Sequence, residues 1–324
     1  MRTLPFCWTL ALLAGCGLDP GTPVAARPMA LKGEGTCDDF LCTGNSPHVQ
    51  DYAFSELNSQ GLAAPSGLKL LGATKNGLAL KFTVEGTMPV ASSATTSLRG
   101  PALVGVTLRL GLPGGATKDV RITDFTTTTF YDGSGRLPAF RLQYLDPVDT
   151  AVLRDVCQYA TVDDHGLNGT WVLFSRGERY DAATASITAV GAAAGDWFNV
   201  SCAGDPIAKL VRLGHVEAAE SASHHTTVAA RQAALNMFTA NYCGDGVLYT
   251  VAGTQLRWQD AAGVTPPQVF GAFEAVWTEH GAACLTNPRY VSKAAVHCQL
   301  PDCTALQETK WPLFGDLASA LPPP

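Results

Sequence analysis

Among the side chains able to do covalent chemistry, Cys16 has the most defined setting. It closes the run Leu13-Ala14-Gly15-Cys16, a branched apolar residue and two small residues before a cysteine. That is the pattern of a lipobox, in which the thiol accepts a diacylglyceryl group and the small side chains leave the preceding peptide bond open to the lipoprotein signal peptidase. The lipid would hold firmly, because a diacyl group plus an N-acyl chain, at ~0.8 kcal/mol per buried methylene, far exceeds the marginal grip of one chain.

Eight further cysteines remain once Cys7 leaves with the leader and Cys16 is acylated: Cys37, Cys42, Cys157, Cys202, Cys243, Cys284, Cys298 and Cys303. An even set in an exported chain predicts four disulfides. Eight cysteines allow 105 connectivities, and sequence does not choose among them. Cys37 with Cys42 and Cys298 with Cys303 are each spaced C-x4-C across loop-forming residues, so local closure is one option. A zinc site made from these pairs with His297 is the rival, disfavoured because an oxidising compartment removes thiolate ligands.

Other reactive groups are weaker signals. The turn Cys243-Gly244-Asp245-Gly246 offers a carboxylate and backbone amides to a ligand, yet these are also the residues a tight turn requires. His224-His225 are adjacent, point apart, and lack a third ligand at metal-binding spacing. Asp163-Asp164-His165 and Glu279-His280 pair carboxylate with imidazole, as acid-base chemistry does, without a nucleophile motif such as G-x-S-x-G. Tyr131-Asp132-Gly133-Ser134-Gly135 opens like a calcium loop and then lacks the later carboxylates. No phosphate-cradling G-x-x-x-x-G-K-S/T is present, so neither a cofactor nor a resident metal is expected.

The elements carrying these groups begin with a leader. Residues 1–15 combine Arg2 with the apolar run Leu4–Leu13, which reads as a signal peptide because a membrane span needs about 20 apolar residues. Residues 16–36, rich in Gly and Pro, form a tether reaching roughly 25 Å from the lipid. Gly17 after the cysteine, in place of aspartate, fits sorting to an outer membrane, with the folded part facing the periplasm or the cell surface. The net charge of −6 and the absence of any Lys/Arg cluster argue against nucleic acid as a partner. The expected partners are the membrane, through the lipid, and an envelope protein or surface ligand.

Residues 37–193 show short β-branched and aromatic stretches punctuated by Gly, Pro and Asp: Leu78–Val84, Leu103–Leu110, Val120–Thr123, Thr126–Tyr131 and Thr170–Phe174. These predict a predominantly antiparallel, sandwich-like β region. Residues 194–303 read as a smaller α+β unit and 304–324 as a C-terminal tail. In that unit, Trp197–Ser201 is a predicted strand, and Thr226–Ala240 a helix capped by Thr226 or Thr227. Val247–Thr250 and Gln255–Trp258 read as a hairpin across Ala252-Gly253. Phe270–His280, with Phe273 and Trp277 four apart and Gly281 behind them, reads as a second helix. Trp171, Trp197, Trp258 and Trp277 are expected in the core or against disulfides.

The stretch Asn236-Met237-Phe238-Thr239-Ala240-Asn241-Tyr242-Cys243-Gly244-Asp245-Gly246 resembles the motif that names the ADYC domain, with Asn241 where the name has aspartate. Phe198-Asn199-Val200-Ser201-Cys202 and Ile207-Ala208-Lys209 upstream resemble further blocks of that family. So do Gly253-Thr254, Phe273-Glu274-Ala275-Val276-Trp277 and Gly281-Ala282-Ala283-Cys284 downstream, and the resemblance spans about residues 194–303. It implies an exported or lipid-anchored protein of a type common in myxobacteria, of a family with no established activity. It also implies that Leu210 and Ala234, which stand where relatives commonly carry cysteines, lie in contact. On these grounds the chain is expected to bind or to serve structure outside the cytoplasm; an extracytoplasmic hydrolase of unrecognised type is the alternative.

Overall fold

The computed structural model describes residues 46–131, 133, 135–158, 167–181, 184–189, 196–216, 226–250, 256–261, 263–264, 272–303 and 311–321. The leader, Cys16, the tether, Cys37 and Cys42, Asp163-Asp164-His165, His224-His225 and the Ala252-Gly253 and Gly253-Thr254 dipeptides lie outside the described residues.

Nineteen strands and two α-helices appear among the described residues. β1 (His48–Val49) and β2 (Tyr52–Ala53) pair with each other, and β3 (Glu56–Asn58) follows. Then come β4 (Lys69–Lys75), β5 (Leu78–Glu85), β6 (Met88–Ser92), β7 (Ser97–Arg99), β8 (Thr107–Gly111), β9 (Thr117–Thr128), β10 (Leu137–Leu145) and β11 (Leu153–Asp155). With β12 (Trp171–Arg176) and β15 (Trp197–Cys202) these build one antiparallel sheet, ordered β3-β15-β12-β10-β9-β8-β4-β5-β6-β7, β11 pairing β10. Between β12 and β15, β13 (Glu178–Asp181) and β14 (Ser186–Ala189) form a separate hairpin.

The long sheet curls until its ends face each other. Phe82 on β5 lies 5.9 Å from Phe174 on β12 and 5.8 Å from Phe198 on β15, ring to ring. This closure produces the sandwich-like core, which also takes in Leu108, Val120, Ile122 and Phe140. The expected strand Val120–Thr123 and the start of Thr126–Tyr131, as far as Thr128, are continuous in β9, and the start of Leu103–Leu110 belongs to a 3-10 turn rather than to β8.

A helix follows β15. α1 (Pro206–Leu213) is capped by Asp205, whose Oδ1 accepts from the Ile207 amide at 2.8 Å, and it ends on Gly214 at φ 87°. Ala208 and Val211 on α1 join Leu173, Ala139 and Leu137 in a second layer on the outer face of the sheet, so β10 and β12 are covered on both sides. Burial pushes the Asp205 carboxyl up to about 6, against an ordinary 3.8. The native state therefore holds its proton more tightly than the unfolded chain does. The stabilisation is complete below the unfolded value and is lost as pH rises through 6, a swing on the order of 3 kcal/mol. Urea unfolding between pH 4 and 7 should show native stability falling with pH, and Asp205→Asn should flatten that slope.

The second core is α+β. α2 (Val228–Thr239), capped by Thr227 as expected, packs on a four-stranded antiparallel sheet ordered β16 (Arg257–Asp260), β19 (Leu317–Leu321), β17 (Ala272–Thr278), β18 (Gly281–Leu285). Leu210 of α1 and Ala234 of α2 both lie in the buried cluster between them. Two expectations are corrected here. The described part of Phe270–His280, from Ala272 on, is a strand, β17, and a turn rather than a helix. A register shift at Glu274 sends Phe273 to one side of β17, with Val276, and Trp277 to the other, with Ala275, and Phe, Val, Trp and Thr favour the pleated element. Of the expected hairpin, Val247–Thr250 is not a strand, and β16 pairs instead with β19, from beyond residue 303.

A buried polar knot and a surface imidazole

The motif around Tyr242 begins where α2 stops. Ala240 adopts a left-handed φ of 51° and its amide caps the Asn236 and Met237 carbonyls. Asn241 then turns the chain: its Oδ1 accepts from the amides of Asp245 (3.1 Å) and Gly246 (3.2 Å), while its Nδ2 donates to Asn236 Oδ1 at 3.2 Å. Asn236 in turn donates to the carbonyls of Thr278 and Glu279 in the β17–β18 turn. Gly244 is obligatory, since a Cβ there would stand 2.1 Å from the His280 carbonyl oxygen.

Tyr242 points inward. Its ring stacks on Trp277 at 5.3 Å, and its hydroxyl donates to Glu274 Oε1 at 2.7 Å while accepting from the Arg289 amide at 2.8 Å. Glu274 and Arg289 form a forked ion pair, Nε to Oε1 at 2.7 Å and Nη2 to Oε2 at 3.0 Å. Ser319 of β19 donates to Glu274 Oε2 and receives the Trp277 indole N–H, each at 2.7 Å. Arg289 also caps α2, donating to the Met237 carbonyl at 2.7 Å. All five side chains are buried. Burial, and then the neighbouring Glu274 charge, hold the Tyr242 phenol protonated far above its usual range. Such a satisfied network fixes geometry and leaves no group free to meet a substrate.

Three disulfides are present among the described residues: Cys157–Cys202, Cys243–Cys298 and Cys284–Cys303. The local closure of Cys298 on Cys303 is therefore corrected. Cys303 is carried alongside β18, where the Leu285 amide donates to the Pro301 carbonyl, and so meets Cys284; Cys298 sits five residues back, under the Cys243 turn.

At the surface, the same turn directs Asp245 toward His297. Asp245 Oδ2 lies 2.5 Å from His297 Nε2, and His297 Nδ1 lies 2.8 Å from the Tyr249 hydroxyl and 3.8 Å from Cys243 Sγ. The candidate ligand atoms of Cys243, Asp245 and His297 stand within 4.8 Å of one another. With the Cys243 sulfur committed to Cys298, one imidazole and one carboxylate remain, too few for a structural zinc. Elsewhere, Glu279 and His280 approach only to 3.5 Å on an exposed turn. Sequence reasoning found Asp245 and Cys243 but missed their link to His297; it met Glu274 only within a family block and Tyr249 only within an expected strand, and missed Arg289 and Ser319 altogether. No spacing signal marks them, because the contacts span 15 to 54 residues.

Fold and knot together define a disulfide-bonded α+β protein, β-rich and antiparallel, built for an oxidising compartment outside the cytoplasm. Its chain belongs to the ADYC domain family, whose model matches residues 100–291, more than half of the sequence. The match begins well upstream of residue 194, taking in the sheet from β8 onward. Comparison with curated proteins and with solved structures returns no match. No helix among the described residues is long and apolar enough to cross a membrane.

Proposed function

We propose that the chain is a cell-envelope lipoprotein, held on the outer membrane through Cys16, whose folded part docks an envelope protein without catalysing a reaction. The observation that carries the docking role is the tip of the β10–β11 hairpin. Leu145 pairs with Leu153 there, both half-exposed, and with half-exposed Val152 and with Val148, 93% exposed, they form an apolar knuckle. Exposed aliphatic groups are normal singly, whereas four on one tip suit a partner.

The tip is held in shape from within. Buried Asp146 accepts from the amides of Val148 (2.7 Å) and Asp149 (3.1 Å) and pairs with Arg154. A preorganised apolar loop loses little entropy on docking, which favours recognition. The non-catalytic reading is supported by the burial of Asn241 and Tyr242 in the family motif, whose polar groups are spent on Asn236, Glu274 and neighbouring amides.

A photo-activatable cross-linking residue in place of Val148, in intact cells, tests the proposal. The expected result is an adduct with an envelope protein, strongly reduced when Cys16→Ser leaves the chain without acyl mass in the aqueous phase of a detergent extraction. An adduct yield at Val148 no higher than at exposed Asp119, or a Cys16→Ser protein that still partitions with the membrane, would overturn it.

A further inference from the structure

The three disulfides differ in their surroundings. Cys157 and Cys202 are fully buried, and Cys284 and Cys303 are each 2% exposed. Cys243 and Cys298 instead sit partly exposed at the rim of the second core. That bond has an imidazole beside it: His297 Nδ1 faces the Cys243 sulfur at 3.8 Å, and Asp245 engages the opposite ring nitrogen. A chance surface ion pair would be worth little and would have no preferred direction. Here the ring is fixed on both sides, by Asp245 and by the Tyr249 hydroxyl, and Asp245 is itself held by the Asn241 turn.

We propose that Cys243–Cys298 is a thiol–disulfide exchange centre that accepts two electrons from a dithiol, with His297 serving the departing thiolate and Asp245 positioning His297. A thiolate of the donor attacks Sγ of Cys298, a new S–S bond forms there, and the old bond breaks with its electron pair leaving on Cys243. Cys243 is the leaving sulfur because the imidazole Nδ1 faces its Sγ, so that a ring proton stabilises the departing thiolate while the Asp245 carboxylate engages the opposite ring nitrogen. The donor's second thiol then loses its proton and attacks the mixed disulfide, releasing Cys298 as thiolate and the donor as its own disulfide. Two electrons and two protons pass from donor to protein.

The fold tolerates this opening. Cys298 lies inside the loop closed by the buried Cys284–Cys303 bond, and Arg289 stays locked to Glu274, so the segment remains tethered when its own link is cut. The reaction is separate from the docking role and stands or falls independently of it.

The test is stepwise reduction of the full-length native protein by dithiothreitol, with differential alkylation and mass spectrometry reporting each cysteine. Cys243 and Cys298 should become labelled together, at least about tenfold faster than the other four described cysteines. His297→Ala should slow that step by on the order of tenfold near neutral pH and remove its imidazole-dependent inflection from the pH–rate profile. His297→Gln, which keeps a polar side chain of similar reach, should show the same loss and guards against a folding defect. A parallel arm with a reduced C-x-x-C protein tells a protein donor from a small one: faster exchange than with dithiothreitol assigns the former, slower the latter. Reduction of all three bonds together would overturn the proposal, as would His297 variants reacting at the native rate.

Discussion

Replacing Arg289 with alanine is expected to cost about 3–5 kcal/mol of folding stability. The guanidinium is the only counter-charge on Glu274 among the described residues, the carboxylate is fully buried, and the same guanidinium serves the Met237 and Phe238 carbonyls at the end of α2. Its removal strands a carboxylate in the core and uncaps a helix. Arg289→Lys should recover only part of the loss, since an ammonium restores charge but not the forked geometry. Removing both partners, as Glu274→Leu with Arg289→Met, should be less damaging than either single change. Unfolding midpoints in guanidinium chloride, at constant slope, measure all three. A cost below about 1 kcal/mol for Arg289→Ala would mean that water reaches the pair.

The second large effect is expected at the first core. Cys157 and Cys202 join the end of the β10–β11 region to β15 across a sequence separation of 45. Loop-closure entropy for such a span corresponds to about 4 kcal/mol. A Cys157→Ala, Cys202→Ala double variant should lose stability on that order when unfolded without reductant, while native protein in strong reductant, which opens the other two bonds as well, should fall at least as far. A variant as stable as the native chain would show that the bond does not form. This loss should exceed the effect of opening Cys243–Cys298 on the first core, because that bond ties only elements of the second.

The fold was legible in the sequence where one face of a strand meets water. β5 alternates buried and exposed side chains, and Leu78–Val84 reads as a strand at sight. β17 is buried through Glu274, Ala275, Val276 and Trp277, so the alternation vanishes and the aromatic spacing reads equally well as a helix. α1 left a usable trace that went unread: Asp205-Pro206 is a cap followed by proline at the first helical position. The site was less legible. Asn241, Tyr242 and Cys243 were found by resemblance, yet their partners come from β17, β19 and the loop at 289–298, and only folding brings those together. The disulfides illustrate the same limit. Close spacing left Cys298 with Cys303 open as one option, and the hydrogen bonds around β18 decided otherwise.

The position of β19 has a temporal consequence. Strands β3 to β15 have all emerged once residue 202 is delivered, so a chain supplied from its N-terminal end has every strand of the large sheet in hand early. The small sheet has no middle until Leu317–Leu321 arrive to slip between β16 and β17, bringing Ser319 to the waiting Glu274. The two halves therefore mature at different moments of delivery, and the younger half waits, open, for its last strand.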